Sequence, residues 1–234
     1  MTNKKHINFE ITSKCNQKCI YCFNEYRRKN INDLSFKEIE NILIDLRKRD
    51  VKSMLFTGGE PFSRSDIVDI LRLSIDMGFD TSVLSNGFKI QGLVKENKSI
   101  FQSLDKIQIS LDTLDKKKLN EIRGYNKAYD DSISALKELV KYNIDNIEIS
   151  SVFNRKNKQD ILEIAKFAFD NKIKLIVRNL YSELKKSFIE KEYNEILLEI
   201  ETLYPNVLIV DKFSYVTDNN FTINSEGKFI KEVA

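Results

Sequence analysis

Short apolar runs of strand length alternate with amphipathic runs of helix length along most of this chain, and that alternation restricts its fold more than any other feature. His6-Ile7-Asn8-Phe9-Glu10-Ile11 alternates polar and apolar residues, the period of a strand. Residues 54–56, 81–84, 107–111, 147–152 and 173–177 supply five more apolar, strand-like segments. Between them lie helical patterns. One starts at Ser35, with Phe36, Ile39, Leu43 and Leu46 at helical spacing and Glu38 three residues after Ser35, as in a capping box. A second starts at Ser65-Asp66, carries Ile67, Ile70, Leu71 and Ile75, and closes at Gly78. A short helix is predicted around Leu93, a long one through Ile133, Leu136, Leu139 and Val140, and another over 161–169. A last helix over about 189–203 stops near Pro205, followed by short β pieces over 207–230 with turns at Asn219-Asn220 and Glu226-Gly227.

Six strand–helix units in series predict an α/β fold with a parallel sheet and helical crossovers. The sheet can stay open and doubly wound, or curve into a barrel. A complete eight-unit barrel takes about 250 residues, and this chain has 234 in all. The expectation is a partial (β/α)6 TIM-like barrel over residues 1–180, with a short C-terminal α/β extension over 181–234. In either closure the C-terminal strand ends form the active face. The residues with chemical character fall there: three cysteines after the first strand, Gly58-Gly59-Glu60 after the second, Ser85-Asn86 after the third and Asp112 after the fourth.

Cys15, Cys19 and Cys22 are the only cysteines, and they lie within eight positions. A disulfide framework uses an even number of dispersed cysteines. Clustered thiolates select zinc, copper(I) or iron–sulfur groups. A structural zinc site takes four protein ligands; the only histidine, His6, lies inside the first strand. A cubane cluster held by three cysteines would keep one iron open to a small molecule. A zinc site completed by a carboxylate, or plain reactive thiols, are the other readings. The consecutive glycines Gly58-Gly59 allow backbone to approach a ligand closely, Glu60 supplies an anionic acceptor for an ammonium group, and Ser85 and Asn86 combine donor and acceptor capacity as sugar hydroxyls require.

The segment Cys15-Asn16-Gln17-Lys18-Cys19-Ile20-Tyr21-Cys22-Phe23 resembles the cluster loop of the radical S-adenosylmethionine (radical SAM) superfamily. The resemblance extends over roughly residues 6 to 180. It implies a single [4Fe-4S] cluster held by Cys15, Cys19 and Cys22, with S-adenosylmethionine on its open iron. Thr57-Gly58-Gly59-Glu60-Pro61 resembles the glycine-rich motif that meets the amino group of that cofactor. Leu84-Ser85-Asn86-Gly87 is similar to the segment that meets the ribose. Ile109 to Asp115 with Ile122-Arg123-Gly124 resembles the branch of the molybdenum-cofactor cyclase and peptide-modifying enzymes, and assigns Ser110 and Arg123 to the cofactor carboxylate. Asp112 would orient substrate or cap the following loop. Tyr21, Val152 and Asn154 are candidate adenine contacts. His6, by contrast, reads as a structural or exposed residue.

The resemblance implies reductive cleavage of S-adenosylmethionine to a 5′-deoxyadenosyl radical that takes hydrogen from a substrate. No cysteine follows Cys22, so a second cysteine-held cluster of the cyclase type is not expected. The leading expectation is a peptide or protein side chain as substrate. A small metabolite or nucleotide is the alternative, and a non-catalytic binding protein retaining the fold a third. An electron donor such as flavodoxin or ferredoxin is implied. With 38 Lys plus Arg against 35 Asp plus Glu, the charge balance does not predict nucleic-acid or membrane-surface binding. No apolar run reaches the length of a signal peptide core or a membrane span, which predicts a cytoplasmic protein.

Overall fold

The computed structural model describes residues 5–22, 33–153, 157–179, 186–208, 220–223 and 226–231. Six parallel strands follow one another in space as they do in the chain: β1 (Lys5–Glu10), β2 (Val51–Thr57), β3 (Asp80–Ser85), β4 (Lys106–Ser110), β5 (Ile147–Phe153) and β6 (Lys174–Asn179). Two further strands extend the sheet beyond β1. β7 (Asn220–Ile223) runs parallel to β1, pairing Ile7 with Phe221, and β8 (Phe229–Lys231) runs antiparallel to β7. In the resulting order β6-β5-β4-β3-β2-β1-β7-β8, β1 and β6 are not neighbours, and the barrel is partial and open.

The helices are α1 (Phe36–Lys48), α2 (Ile67–Asp76), α3 (Ile90–Glu96), α4 (Lys98–Ser103), α5 (Lys116–Arg123), α6 (Ala128–Lys141), α7 (Lys158–Asp170) and α8 (Lys186–Leu203). Sequential strand order with crossovers of one hand puts the crossover helices on one side of the sheet. The strand faces divide accordingly. Ile7, Phe9, Met54, Phe56, Val83, Ile107, Ile109, Ile149, Leu175 and Val177 are buried with the apolar stripes of the helices, among them Ile39, Leu43, Ile70, Leu136 and Ile164. The alternate residues line the concave side, and many are polar: His6, Asn8, Glu10, Ser53, Ser82, Gln108, Ser110, Glu148, Ser150 and Arg178. A packed barrel interior is filled by branched apolar side chains; this concave side carries many polar ones instead.

Local sequence explains most boundaries. Ser35 caps α1 with the reciprocal Glu38 contact of a capping box. Asp66 precedes α2 without capping it, because its carboxylate is taken by Arg64 in a two-pronged contact at 2.9 and 2.8 Å. Helices α4 and α5 were not expected from the sequence. In α5 only Leu119 and Ile122 are apolar, too few for a helical period; the helix is held at its ends, where Asp115 accepts from the Lys118 amide and Gly124 adopts a left-handed φ of 56°. Asn220 belongs to β7 rather than to a turn, Asn219 lies outside the described residues, and the Glu226-Gly227 turn is present. His6 sits half-buried on the concave side, with its ring nitrogens on Ser53 Oγ at 2.9 Å and Asn8 Oδ1 at 3.1 Å.

Candidate cofactor site

The chain leaves β1 into the cysteine loop, which is strapped down on two sides. On one side the loop after β2 donates Gly59 N to Thr12 O (2.7 Å) and Glu60 N to Lys14 O (2.8 Å). On the other, Lys18 N donates to Arg123 O (2.9 Å) and Ile20 N to Ile122 O (3.0 Å), at the end of α5. Two glycines permit these approaches. A Cβ on Gly59 would stand 2.1 Å from the Lys14 carbonyl oxygen, and one on Gly124 would stand 2.6 Å from that of Lys18. The glycines of the two sequence motifs therefore serve backbone-to-backbone contact with the cysteine loop itself.

Cys15, Cys19 and Cys22 are half-buried in that loop and form no disulfide with one another. Donors approach two of the sulfurs: Gln17 N (3.4 Å) and Asn86 Nδ2 (3.8 Å) at Cys15, and Arg123 Nη1 (3.9 Å) at Cys19. Burial pushes the Cys19 thiol up, and the Arg123 charge opposes that shift. Among the described residues no three His, Cys, Asp or Glu side chains converge for a single metal ion, as a closed zinc site, with thiolates about 4 Å apart, would require. The buried Asn16 Nδ2 has no hydrogen-bond partner. Sulfurs approached by donors, with a spare donor beside them, fit a bound cluster.

Glu60, fully buried, links the ends of β2 and β3. Its Oε1 accepts from Phe62 N (3.0 Å) and Ser85 Oγ (2.8 Å), its Oε2 from Asn86 N (2.7 Å). Burial raises its pKa to about 7 despite these three bonds. Pro61 opens a short 3-10 turn, Pro61–Ser63, that Glu60 caps. The Ser85 hydroxyl is taken inside the protein, donating to Glu60 and accepting from Gly87 N (3.0 Å). Asn86 bridges to the cysteine loop, donating to Asn16 Oδ1 (2.9 Å) and Cys15 Sγ. The structure thus places Gly58, Gly59, Glu60, Ser85 and Asn86 together against the first strap of the loop.

The second group forms around Asp112, which has no exposed surface. Its Oδ2 pairs with Arg123 Nη2 (2.6 Å) and accepts from the Tyr21 hydroxyl, while its Oδ1 accepts from Val152 N (2.9 Å). The Arg123 guanidinium also lies 5.6 Å from the Tyr21 ring centroid. Burial disfavours its charge, but Asp112, Tyr21 and Cys19 outweigh that and hold its pKa above the ordinary value. Arg123 is therefore a buried ion-pair partner rather than a surface one. Tyr21 is itself held well above its ordinary pKa, first by burial. Ser110 and Val152 lie half-buried on the concave side; Asn154 and Phe23 fall outside the described residues. Sequence reasoning missed Arg64, whose Nη1 binds the carbonyls of Ile11 (3.0 Å) and Leu34 (2.9 Å) and so pins both ends of the segment that carries the cysteines. Its position just after Pro61-Phe62-Ser63 was the available clue.

The family model for the radical SAM superfamily matches residues 9–168, which include both groups and the cysteine loop. The chain belongs to that superfamily. Radical SAM enzymes use a [4Fe-4S] cluster together with S-adenosylmethionine, and the fit of the cysteine loop to a cluster agrees with this. Among curated proteins it is 28% identical over 211 residues to a probable GTP 3′,8-cyclase of Pyrococcus abyssi, covering 83% of this chain and 67% of that one. It is 30% identical over 203 residues to a probable GTP 3′,8-cyclase of Saccharolobus solfataricus, covering 85% and 64%. Among solved structures it resembles Streptococcus suis SuiB (TM-score 0.77, 20% identity, 97% of this chain and 60% of that one). It also resembles anSMEcpe with bound AdoMet (TM-score 0.73, 19% identity, 97% and 73%). The radical SAM chain thus spans about two thirds of the cyclases' length and 60% of SuiB.

Proposed function

We propose that this radical SAM enzyme takes hydrogen from a peptide or protein side chain. The observation that carries this reading is the charge of the concave face. Arg178 donates through Nε to Ser150 Oγ (3.1 Å) and through Nη2 to Gln108 Oε1 (3.1 Å), and Gln108 Nε2 donates to Glu148 Oε2 (2.9 Å). Glu148, with its pKa raised by burial, offsets that guanidinium. The lysines of the six strands, Lys5, Lys52, Lys106 and Lys174, stand at the strands' N-terminal ends, away from the cysteine loop. A polyphosphate calls for several convergent cations; this face offers a balanced, amide-like lining suited to peptide groups. SuiB, a neighbour in fold, has been crystallised with its precursor peptide SuiA.

In this reading Cys15, Cys19 and Cys22 hold three irons, and the loop of Gly58, Gly59, Glu60 and Pro61 meets the amino group of S-adenosylmethionine. Ser110 and Arg123 meet its carboxylate, Asn86 with Ser85 the ribose, and Tyr21, Val152 and Asn154 the adenine. The bound cluster supplies one electron for cleavage of the carbon–sulfur bond, and a flavodoxin- or ferredoxin-type donor replenishes it. The protein's part is placement of one substrate C–H bond and exclusion of water.

Anaerobic reconstitution is expected to load about four irons per chain and to give dithionite-dependent 5′-deoxyadenosine. Mass spectrometry of a peptide encoded beside this gene is expected to show a mass change or deuterium uptake; an unchanged peptide counts against the reading. The second reading, a nucleotide substrate, is favoured by the relatives named as GTP cyclases. GTP consumed alongside 5′-deoxyadenosine formation would select it. Iron loading without cleavage of S-adenosylmethionine would select a non-catalytic role.

A further inference from the structure

The buried ion pair stands beside Cys19, and the geometry points to Asp112 and Arg123 as an opposed pair that sets the reduction potential of the cluster held through Cys19, in addition to the carboxylate contact assigned to Arg123 above. The inference rests on the assignment of the three cysteines as cluster ligands. Arg123 Nη1 is 3.9 Å from Cys19 Sγ, and its Nη2 is 2.6 Å from Asp112 Oδ2. Its side chain is 9% exposed and that of Asp112 1%, so neither charge is screened as a surface charge is. A cationic donor at a ligand sulfur stabilises the more negative, reduced cluster and raises its potential. Asp112 works against it in two ways. Its negative charge disfavours the added electron, and it draws the guanidinium toward itself and away from the sulfur.

Asp112 is thereby a positioning residue. It is buried, and it is anchored from three directions: Arg123 on α5, the Tyr21 hydroxyl within the cysteine loop and the Val152 amide on β5. The loop hangs from the same element, because Lys18 N and Ile20 N donate to the carbonyls of Arg123 and Ile122. The distance between the Arg123 charge and the Cys19 sulfur is therefore fixed by the backbone as well as by the side chains. Neutralising either member shifts the cluster in a predictable sense, and the two senses are opposite.

The test is a redox titration of the anaerobically reconstituted protein, following the reduced cluster by electron paramagnetic resonance, with iron counted for each variant. Asp112→Asn is expected to raise the midpoint, and Arg123→Gln to lower it, each by about tenfold in the reduction equilibrium, or about 59 mV for one electron. Arg123→Lys, which keeps the charge, is expected to stay closer to wild type than Arg123→Gln. The double variant is expected to return toward wild type. A merely structural role moves both single variants the same way, or changes iron content without an opposed shift; either result overturns the proposal. If Asp112→Asn does not fold, the comparison of Arg123→Gln with Arg123→Lys carries the test, and equal midpoints overturn it. A wild-type protein that takes up no cluster overturns the cysteine assignment, and this proposal with it.

Discussion

Replacing Gly59 with alanine tests whether the glycine-rich turn exists to carry the cysteine loop. The added Cβ would stand 2.1 Å from Lys14 O, 2.5 Å from Lys14 C and 3.0 Å from Ser13 C, all backbone atoms that no rotamer change can move. Reaching an ordinary carbon contact requires the loop to retreat by about 1 Å or more. That displacement stretches the two bonds that strap the loop, Gly59 N to Thr12 O and Glu60 N to Lys14 O, from 2.7 and 2.8 Å past hydrogen-bonding range. Two lost backbone bonds at about 1 kcal/mol each, with overpacking strain of about 1–3 kcal/mol, give a loss of roughly 3–5 kcal/mol. Urea unfolding of the apo protein measures it, and iron content after reconstitution reports the displaced loop. Gly92→Ala is the control: it lies exposed in α3, nothing stands within 4 Å of its added Cβ, and it is expected to stabilise by about 0.5–1 kcal/mol. Equal midpoints for the two variants, or a Gly59→Ala protein with wild-type stability and iron, would refute the reasoning.

Glu60 makes stability fall as pH rises. Its folded pKa of about 7 lies above the ordinary carboxylate value because of burial, so its contribution is complete below the unfolded pKa and is lost between about pH 4.5 and 7, an effect of about 3 kcal/mol. Urea midpoints measured across that range are expected to fall in wild type and to flatten in Glu60→Gln. Ser85→Ala removes a bond to the same carboxylate at 2.8 Å and is expected to cost about 1–3 kcal/mol by the same assay. Arg64→Ala leaves Asp66 and the carbonyls of Ile11 and Leu34 without their partner; about 2–4 kcal/mol of lost stability is expected, with weakened iron loading. Replacing Cys15, Cys19 and Cys22 together with alanine is expected to abolish iron uptake and the visible absorbance of the cluster, while circular dichroism stays that of the folded apo chain.

Strand-to-helix alternation made the six parallel units readable, because each element announces one apolar face at its own period. α5 stayed hidden because its stability comes from end caps and from contact with the cysteine loop rather than from an apolar stripe. The same holds for the sites. Cys15, Cys19, Cys22 and Gly58-Gly59-Glu60 were legible because rare residue types at short spacing carry their chemistry in one segment. The partnership of Asp112 with Tyr21, Arg123 and Val152 was not, since its members lie up to 131 positions apart in the chain and meet only because β5 and the cysteine loop come together across the fold.

By itself the sequence determined the alternating α/β architecture, the three-cysteine cluster loop and the strand ends at which chemistry gathers. Local periodicity and ligand chemistry are written into neighbouring residues. Only the tertiary structure decided that Glu60 and Ser85 satisfy each other inside the protein, that Arg123 is buried against Asp112 beside Cys19, and that β7 joins β1 instead of the barrel closing on β6. Those outcomes depend on which donors and acceptors the packed strands bring within bonding distance, and on the requirement that buried polar groups find partners.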